Sequence, residues 1–338
     1  MKELIRFFCF TWISVLLCTC GVPGDSDQSA SAEAGSQRSF KRESATSGNI
    51  YIAADESFQP VVEAEIQNFM GLYPDATVKA IYLPGEEAIA AMLNNDSLRL
   101  VISTRLLTRE EENVLKAQKT SPKTSRLATD AIALVVHRSN QDTVLTTAQM
   151  EGILTGEISS WKQINPASPL GDIMLVFDNA LSSTVRYMQD SVLHDRPLTT
   201  KVFAADTNPQ VLEYLAQTPH AIGIIGVAWI SDQDDEKATG FKQHIRTMKI
   251  QTRIACPYEG DFFQPYQGFI FTHCYPLTRG VYAILRESSF GLGTGFVSYL
   301  ASDPGQRIIL KAGLVPDRSP TRVTKWPSRQ EKSKADSP

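Results

Sequence analysis

The sequence lacks the features that mark several common classes of protein. Positive charge is not in excess, since 33 Lys and Arg stand against 37 Asp and Glu for a formal net charge of −4. This disfavours a nucleic-acid partner, whose phosphates attract a basic face. After residue 20 no apolar run approaches the roughly 20 residues that span a bilayer. The five histidines have no metal-ligand spacing, and the G-x-S-x-G, H-E-x-x-H and P-loop lysine motifs are absent. The sequence therefore predicts no metal site and no cofactor.

The N-terminus carries the pattern of an export signal. Lys2 and Arg6 flank the start of the apolar stretch FFCFTWISVLLCTC, as in a signal peptide. The stretch ends in LCTC, which is similar to a bacterial lipobox with Leu17 at −3, Thr19 at −1 and Cys20 as the residue to be lipidated. We therefore expect residues 1–19 to be a signal peptide and the exported chain to be lipid-anchored in the cell envelope. The alternatives are an ordinary signal peptide cut nearby and an uncleaved anchor.

Polar segments border the central part of the chain. Residues 20–47 are rich in Ser, Ala and Gly and lack apolar periodicity, which is typical of a flexible tether. Residues 317–338 are similarly polar and are expected to be disordered.

Cysteine is scarce. The chain has five, and processing at Cys20 leaves only Cys256 and Cys274 besides the lipidated residue. An even pair in an oxidising compartment fits a disulfide. Two buried free thiols fit the sequence equally well.

Between residues 48 and 316 the pattern alternates strands and helices. NIYIA, TVKAIYL and LRLVIS read as strands, and PVVEAEIQNFMGLY and GEEAIAAMLNND as helices. The continuous apolar runs AIALVVH, IMLVF and AIGIIG are typical of strands buried on both faces of a mostly parallel sheet. The alternation predicts an α/β fold.

Polar side chains are concentrated at the junctions between predicted strands and the helices that follow them. The junction residues are Asp55, Glu56 and Ser57; Gly85; Ser103, Thr104 and Arg105; and Ser182, Ser183 and Thr184. Ligands of α/β sheets bind at the carboxyl ends of strands, and hydroxyl and N–H groups at helix N-termini bind anions. Arg105 adds a bidentate fork for an oxyanion. Any single hydroxyl serves equally well as a helix cap, but three such junctions together predict an oxyanion site.

Several ordered segments also resemble known motifs. STRLLTREE is similar to S-R-x-L-T-x-E-E, and LTTAQMEGILTGEISSWKQI (145–164) to L-T-x-x-Q-x-x-x-I-F-x-G-x-I-x-x-W. TPHAIGIIG (218–226) is similar to P-x-A-I-G-Y, and SST at 182–184 stands in the place of Ser-Gly-Thr. YPLTRGVY (275–282) and GQRIILKAGLVP (305–316) match C-terminal motifs. From about Asn49 to Pro316 the chain thus resembles the phosphate-binding proteins of bacterial ABC-type phosphate importers, within the periplasmic solute-binding superfamily.

The resemblance implies a non-enzymatic, monomeric protein of two α/β lobes, each a mostly parallel sheet flanked by helices. Residues 48–129 with 236–316 would form lobe 1, and residues 130–235 lobe 2. Inorganic phosphate or a related oxyanion would bind in the cleft between the lobes and pass to the permease of an ABC importer. The implied ligand-binding residues are Ser57, Phe58, Ser103, Thr104, Arg105, Ser182, Ser183 and Thr184.

Two departures from the family pattern bear on the ligand. The arginine usual a few residues before Ser-Gly-Thr is replaced by Asp178 or Asn179, and a Gly-Ser-rich first loop is replaced by residues 55–58, DESF. Glu56 and Asp178 are candidate selectivity acids, which accept the proton of hydrogen phosphate and repel unprotonated sulfate. Two alternatives follow from the same departures. One is a sensing or interaction lipoprotein with altered or lost ligand specificity. The other is a serine hydrolase acting on phosphoesters through Ser182 or Ser183, for which no base is identifiable.

Overall fold

A computed structural model describes residues 43–231, 240–241, 243–287 and 290–318. The predicted signal peptide, the lipidation site Cys20, most of the tether and the tail from residue 319 lie outside the described residues. Within the described part of the chain, no helix combines the length and the apolar character needed to cross a membrane.

The strands follow the predicted order, with short additions. They are β1 (Gly48–Asp55), β2 (Ala76–Leu83), β3 (Leu98–Ser103), β4 (Lys123–His137), β5 (Val144–Leu145), β6 (Met174–Phe177), β7 (Val202–Ala204), β8 (Ala221–Gly226), β9 (Ile245–Thr247), β10 (Lys249–Gln251), β11 (Phe262–Phe263), β12 (Thr278–Leu285) and β13 (Val315–Pro316).

The helices connect them. They are α1 (Gln59–Leu72), α2 (Gly85–Asn94), α3 (Arg109–Ala117), α4 (Thr147–Thr155), α5 (Trp161–Ile164), α6 (Ser183–Tyr187), α7 (Asn208–Gln217), α8 (Ala228–Ser231), α9 (Gln267–Phe271), α10 (Leu292–Leu300) and α11 (Asp303–Lys311). A 3₁₀ turn, Glu56–Phe58, leads into α1, and a π-helical turn, Met188–Val192, continues α6.

Local sequence explains several helix boundaries. Thr108 and Glu111 form a capping box that begins α3, and Thr146 and Gln149 form another that begins α4. Each box satisfies N–H groups that have no partner inside the helix. Helix α4 ends at Gly156, whose φ of 84° lies in the left-handed region that glycine adopts without strain.

Strand β4 links the two halves of one large sheet. The sheet has the order β2-β1-β3-β12-β4-β8-β6-β7. Through Ala131 strand β4 pairs with β12, and from Ile132 it pairs with β8. Strands β1, β2 and β3 are mutually parallel on one side, and β6, β7 and β8 on the other. Most buried apolar side chains of both halves belong to one core cluster, and a second, smaller cluster lies between α2, α3 and the strands β1, β3 and β12.

The predicted α/β class is confirmed, but the prediction that AIALVVH belongs to a mostly parallel arrangement is wrong. AIALVVH is buried as its composition indicated, yet it forms the second half of β4, which runs antiparallel to β8, β9 and β12. A continuous apolar run indicates burial on both faces of a strand but not the direction of the strand. The sequence pattern therefore could not distinguish parallel from antiparallel pairing.

A disulfide joins Cys256 to Cys274, whose Cα atoms are 5.7 Å apart. It links the loop after β10 to the turn after α9. Of the two states that the sequence left open, the structure has the disulfide.

Candidate functional site

Two predicted junctions meet directly. The hydroxyl oxygens of Ser57 and Ser183 lie 3.1 Å apart and are hydrogen-bonded, although 126 residues separate them along the chain. Asp55 ends β1, and its Oδ1 accepts the backbone N–H of Ser57 at 3.0 Å, which fixes the 3₁₀ turn. Ser182 begins α6 by accepting the N–H of Val185 at 3.2 Å. The strand ends therefore bring the two serines to one point.

An arginine that the junction argument did not identify completes this point. Arg279, near the start of β12, donates from Nη1 to the Ser183 hydroxyl at 2.9 Å and from Nε to Asp130 Oδ2 at 2.8 Å. Its guanidinium lies 5.4 Å from the centre of the Phe58 ring, within cation–π range. Arg279 is only 6% exposed, so its charge is held within the protein.

Three buried carboxyl groups surround the arginine and the serines. Asp55, Asp130 and Asp178 are all fully buried. Asp178 follows β6 and accepts Nδ2 of Asn208, the first residue of α7, at 3.1 Å. Burial raises the pKa of Asp130, while Arg279 acts in the opposite direction.

The acids also influence one another. Burial raises the pKa of Asp178, and the charge of Asp55 adds to that effect, whereas the Ser182 hydroxyl, the Asn179 N–H and Arg279 oppose it. Burial, followed by the charges of Asp178 and Asp55, raises the pKa of Glu56 to about 7. These carboxyl groups are therefore close enough to repel each other when ionised.

Buried polar atoms without a partner concentrate here. Among the described residues, ten buried side-chain atoms lack a hydrogen-bond partner, and seven of them belong to this cluster. They are Oδ2 of Asp55, Oε1 of Glu56, Oδ1 of Asp130, Oδ1 of Asp178, Oγ1 of Thr184, Oδ1 of Asn208 and Nη2 of Arg279. Because an unpaired buried polar atom costs about 1–3 kcal/mol, such a concentration marks a place that a polar ligand or water completes.

Two glycines allow the neighbouring backbone to lie close to the cluster. A Cβ added at Gly85, the first residue of α2, would lie 2.7 Å from Asp55 Oδ2 and 3.1 Å from Ser183 Cβ. A Cβ added at Gly226, at the end of β8, would lie 3.7 Å from Arg279 Nη2 and from the Ser57 carbonyl oxygen. The N-terminal end of α2 therefore faces the same point as Ser57 and Ser183.

The guanidinium of Arg105 is not free to bind an oxyanion in the way that the sequence suggested. All five of its N–H donors are engaged, by both carboxylate oxygens of Glu86, both of Glu111 and the carbonyl of Leu106, at 2.6–2.8 Å. Glu86 also forms a salt bridge with Arg186 of α6. Arg105 thus holds the start of α2 to the capping box of α3.

The other predicted residues divide into two groups. Phe58 and Thr184 lie in the cluster, the first beneath Arg279 and the second with its buried hydroxyl unpaired among the described residues. Ser103 is buried and accepts the N–H of Arg105 at 3.3 Å, a local turn bond. Thr104 is partly buried and follows Ser103 in the same turn.

Arg279, Asp130 and Asn208 were missed because two of them lie inside strands and one at a helix start that carried no hydroxyl run. The sequence does indicate a special role for Asp130, because this charged residue lies within the apolar run LATDAIALVVH. A charged residue inside a buried strand requires an opposite charge, and Arg279 lies in the segment YPLTRGVY.

The arrangement is suited to binding rather than to covalent chemistry. The partners of the Ser183 hydroxyl are a hydroxyl and a guanidinium, and a guanidinium stays protonated and cannot act as a base. Within the described ranges, no group of three or more His, Cys, Asp or Glu side chains is arranged to hold a metal ion. The site offers an Arg279 N–H and the Thr184 hydroxyl to an acceptor, and several carboxyl oxygens to a donor.

The fold is of the two-lobed periplasmic-binding type, as solved structures show. The structure of a putative phosphate ABC transporter substrate-binding protein with bound phosphate from Clostridium perfringens is similar, with a TM-score of 0.65 and 22% identity, covering 80% of this chain and 100% of that one. An ABC-type phosphate transport receptor from Vibrio cholerae is similar with a TM-score of 0.57 and 20% identity, covering 80% of this chain and 100% of that one.

Sequence comparison agrees. The phosphate-binding protein PstS of Bacillus subtilis is 22% identical over 320 residues, which cover 93% of this chain and 94% of that protein. Residues 41–304 match the family described as the PBP superfamily domain. The chain belongs to the PBP superfamily.

Proposed function

We propose that this protein is a lipid-anchored extracytoplasmic solute-binding protein that captures inorganic phosphate and delivers it to an ABC importer. The observation that carries the proposal is the buried cluster of Ser57, Ser183, Thr184 and Arg279, in which Nη2 of Arg279 and Oγ1 of Thr184 have no partner among the described residues. Charge-assisted and hydroxyl hydrogen bonds at helix N-termini are what a phosphate oxygen requires. The names of the relatives and structural neighbours, all phosphate-binding or phosphate-transport proteins, support it.

In this proposal the ligand lies between two lobes, residues 48–129 with 236–316 and residues 130–235. Ser57 and Arg279 come from the first and Ser183 and Thr184 from the second, and the contacts of Ser183 with Ser57 and Arg279 are those expected of a closed pair of lobes. The change of partners of β4 at Ala131 and Ile132 gives the crossing point. The protein acts as a monomer, is held to the membrane through Cys20 alone, and catalyses no reaction.

Asp178 has the role of a selectivity acid in the same proposal, and Glu56 is the second acid of the site that bears on selectivity. A carboxylate beside the oxyanion accepts the O–H of hydrogen phosphate, whereas sulfate brings no proton and leaves that acceptor unpaired. Asp178 is fully buried and keeps Oδ1 free of partners in the described structure. We therefore expect phosphate to be bound and sulfate to be rejected.

The test is calorimetric titration of the full-length protein in detergent with phosphate and sulfate, after removal of any ligand carried through purification. Thr184→Val is the informative variant, because it removes an unpartnered hydroxyl at nearly constant volume and so costs the free protein no hydrogen bond. We expect it to weaken phosphate binding by roughly 5- to 10-fold, the size of one neutral hydrogen bond. An unchanged affinity would exclude Thr184 from the site.

Arg279→Gln and Arg105→Gln separate the structural assignment from the one based on sequence. Loss of a charge-assisted hydrogen bond costs about 1.5–3 kcal/mol, so Arg279→Gln should weaken phosphate binding roughly 10- to 100-fold. Arg105→Gln should leave it within about twofold, because its donors serve Glu86 and Glu111. The reverse result would restore Arg105 as the ligand-binding arginine.

A second function has one observation in its favour. Four carboxyl groups, those of Asp55, Glu56, Asp130 and Asp178, accompany the single arginine of the cluster. A sensing or interaction protein with altered ligand specificity would account for this excess of acids. Absence of phosphate binding to the stripped wild-type protein, with the fold intact by circular dichroism, would favour it.

A further inference from the structure

Glu56 differs from the other acids of the cluster in being open to solvent. Asp55, Asp130 and Asp178 are fully buried, whereas Glu56 is half-buried at the start of the 3₁₀ turn. Its Oε1 is nevertheless buried and has no hydrogen-bond partner in the described structure. Glu56 is thus an acid of the site with one oxygen inside the protein and a path by which a proton can reach it from water.

The charges around Glu56 are mostly negative. Asp55 precedes it at the end of β1, and the charges of Asp178, in the loop after β6, and of the exposed Glu87 of α2 also act on it. Farther into the cluster lie Asp130 of β4 and its partner Arg279 of β12. Arg279 is already neutralised in part by Asp130 at 2.8 Å, so it cannot balance Asp55 and Asp178 as well.

An arriving oxyanion adds negative charge to this group. Like charges raise each other's proton affinity, and a group that binds both an anion and a proton binds each more tightly in the presence of the other. Burial and the charges of Asp178 and Asp55 already raise the pKa of Glu56 to about 7 in the free protein, so a further shift changes its proton occupancy at neutral pH.

We propose that Glu56 is a proton-linked specificity residue, which takes up a proton as the oxyanion binds and is neutral in the bound state. This inference rests on the proposed phosphate-binding function. It differs from the role proposed for Asp178, which is to accept the proton of the ligand. The neutral carboxyl of Glu56 adds an O–H donor beside the anion, where an ionised carboxylate would repel it.

The consequence is an affinity that falls as pH rises. At about one unit above its free-state pKa, only about one molecule in ten has Glu56 protonated, and the affinity for an anion that requires this form falls by up to about tenfold. The neutral isostere Glu56→Gln removes the requirement. Near pH 8 it should therefore bind phosphate up to about tenfold more tightly than the wild type.

The experiment is titration of the full-length wild type, Glu56→Gln and Glu87→Gln with inorganic phosphate near pH 8, in two buffers of different ionisation enthalpy. The difference between the buffers gives the number of protons taken up on binding. Phosphate itself titrates near neutral pH, so the comparison between variants isolates the contribution of Glu56. We expect the wild type and Glu87→Gln to take up more protons than Glu56→Gln, which should also bind more tightly.

Two kinds of outcome would overturn the inference, and they are distinguishable. Equal proton uptake in the wild type and Glu56→Gln, or weaker phosphate binding by Glu56→Gln, would show that Glu56 is not protonated on binding, while the proposed function would stand. No phosphate binding by the wild type, Glu56→Gln or Glu87→Gln would overturn the proposed function and this inference together. If Glu56→Gln bound phosphate near pH 8 and the wild type did not, the ionised carboxylate of Glu56 would be shown to prevent binding, which would support the inference.

Discussion

Arg279 and Asp130 stand opposite each other in the register of β12 and β4, and their side chains form an ion pair of 2.8 Å inside the protein. The backbone ladder and the side-chain pair therefore fix the same contact. Because the pair is buried, its two members depend on each other: a buried charge without its partner costs far more than the pair itself contributes.

The first prediction concerns this dependence. Arg279→Met should lower the free energy of unfolding by about 3–5 kcal/mol, because Asp130 then remains buried without an opposite charge. The double variant Arg279→Met with Asp130→Leu should recover most of that loss. Urea unfolding of the wild type, Arg279→Met, Asp130→Leu and the double variant measures both effects. If the two substitutions destabilise additively, the pair is not coupled and the ion-pair interpretation is wrong.

The second prediction concerns Gly85. Alanine there would place a Cβ 2.7 Å from Asp55 Oδ2 and 3.1 Å from Ser183 Cβ, so it should displace the cluster and weaken phosphate binding at least about tenfold. Gly71→Ala in α1 is the matched control, since a Cβ there meets no atom within 4 Å. It should stabilise the protein by about 0.5–1 kcal/mol without changing the affinity. Equal affinities in the two variants would place Gly85 away from the ligand.

The third prediction concerns Glu65, on the buried face of α1. Its carboxyl borders a cavity of about 20 Å³ lined by apolar side chains such as Val62, Ile102 and Leu127. Neither oxygen has a hydrogen-bond partner in the described part of the chain, and the Tyr299 hydroxyl donates to Asn68 instead. Burial raises the pKa of Glu65 to about 9, so the folded protein holds the neutral acid.

A raised pKa in the folded state means that the unfolded chain loses this proton first as pH rises. Glu65 therefore stabilises the fold fully only below the unfolded pKa near 4.5, and the fold loses up to about 1.4 kcal/mol per pH unit from there to about pH 9. Relative to the wild type, Glu65→Leu should gain about 3 kcal/mol between about pH 4 and pH 7. Glu63→Gln, at an exposed position of the same helix, should keep the wild-type slope. Parallel pH profiles for the wild type and Glu65→Leu would contradict a neutral Glu65.

The fourth prediction concerns the disulfide between Cys256 and Cys274, which are 18 residues apart in sequence. A cross-link that closes a loop of this length stabilises a protein by about 3 kcal/mol. Replacing both cysteines by alanine should lower the urea midpoint accordingly and leave phosphate affinity unchanged, since neither cysteine contacts the cluster. A lower phosphate affinity in a variant that is still folded would show that the disulfide also positions the site.

Sequence pattern was informative about elements and about residues at strand ends. The periodicity of residues 60–73 and the apolar run LRLVIS correspond to α1 and β3, and the junction pattern alone points to both Ser57 and Ser183, which the fold brings into contact. These predictions succeeded because strand ends and helix starts have local signals. The partners of Arg105 have no such signal, since Glu86 and Glu111 approach it only through the packing of α2 on α3.

The charge balance of the site lay beyond sequence reasoning for the same reason. The loss of an arginine before SST suggested too little positive charge, but Arg279 enters from a strand about a hundred residues later and contacts Ser183 at 2.9 Å. Which carboxyl groups share that arginine depends on distances that only the fold sets. Asp130 could have been paired with it from burial alone, whereas Asn208 carried no pattern that distinguished it.

The number of residues in strand β4 determines which of its side chains face each partner strand. Residues on either side of the boundary between Ala131 and Ile132 pair with different strands, and the register continues from Ala128 to Val136 across that boundary. The pairing with β12 shifts by one residue between Arg126 and Ala128. One extra residue inserted before Asp130 would turn its carboxyl to the opposite face of the sheet, away from Arg279. The length of the segment from Ala128 to Val136 is therefore subject to a stricter constraint than its composition: many apolar substitutions preserve its burial, whereas an inserted or deleted residue changes its register.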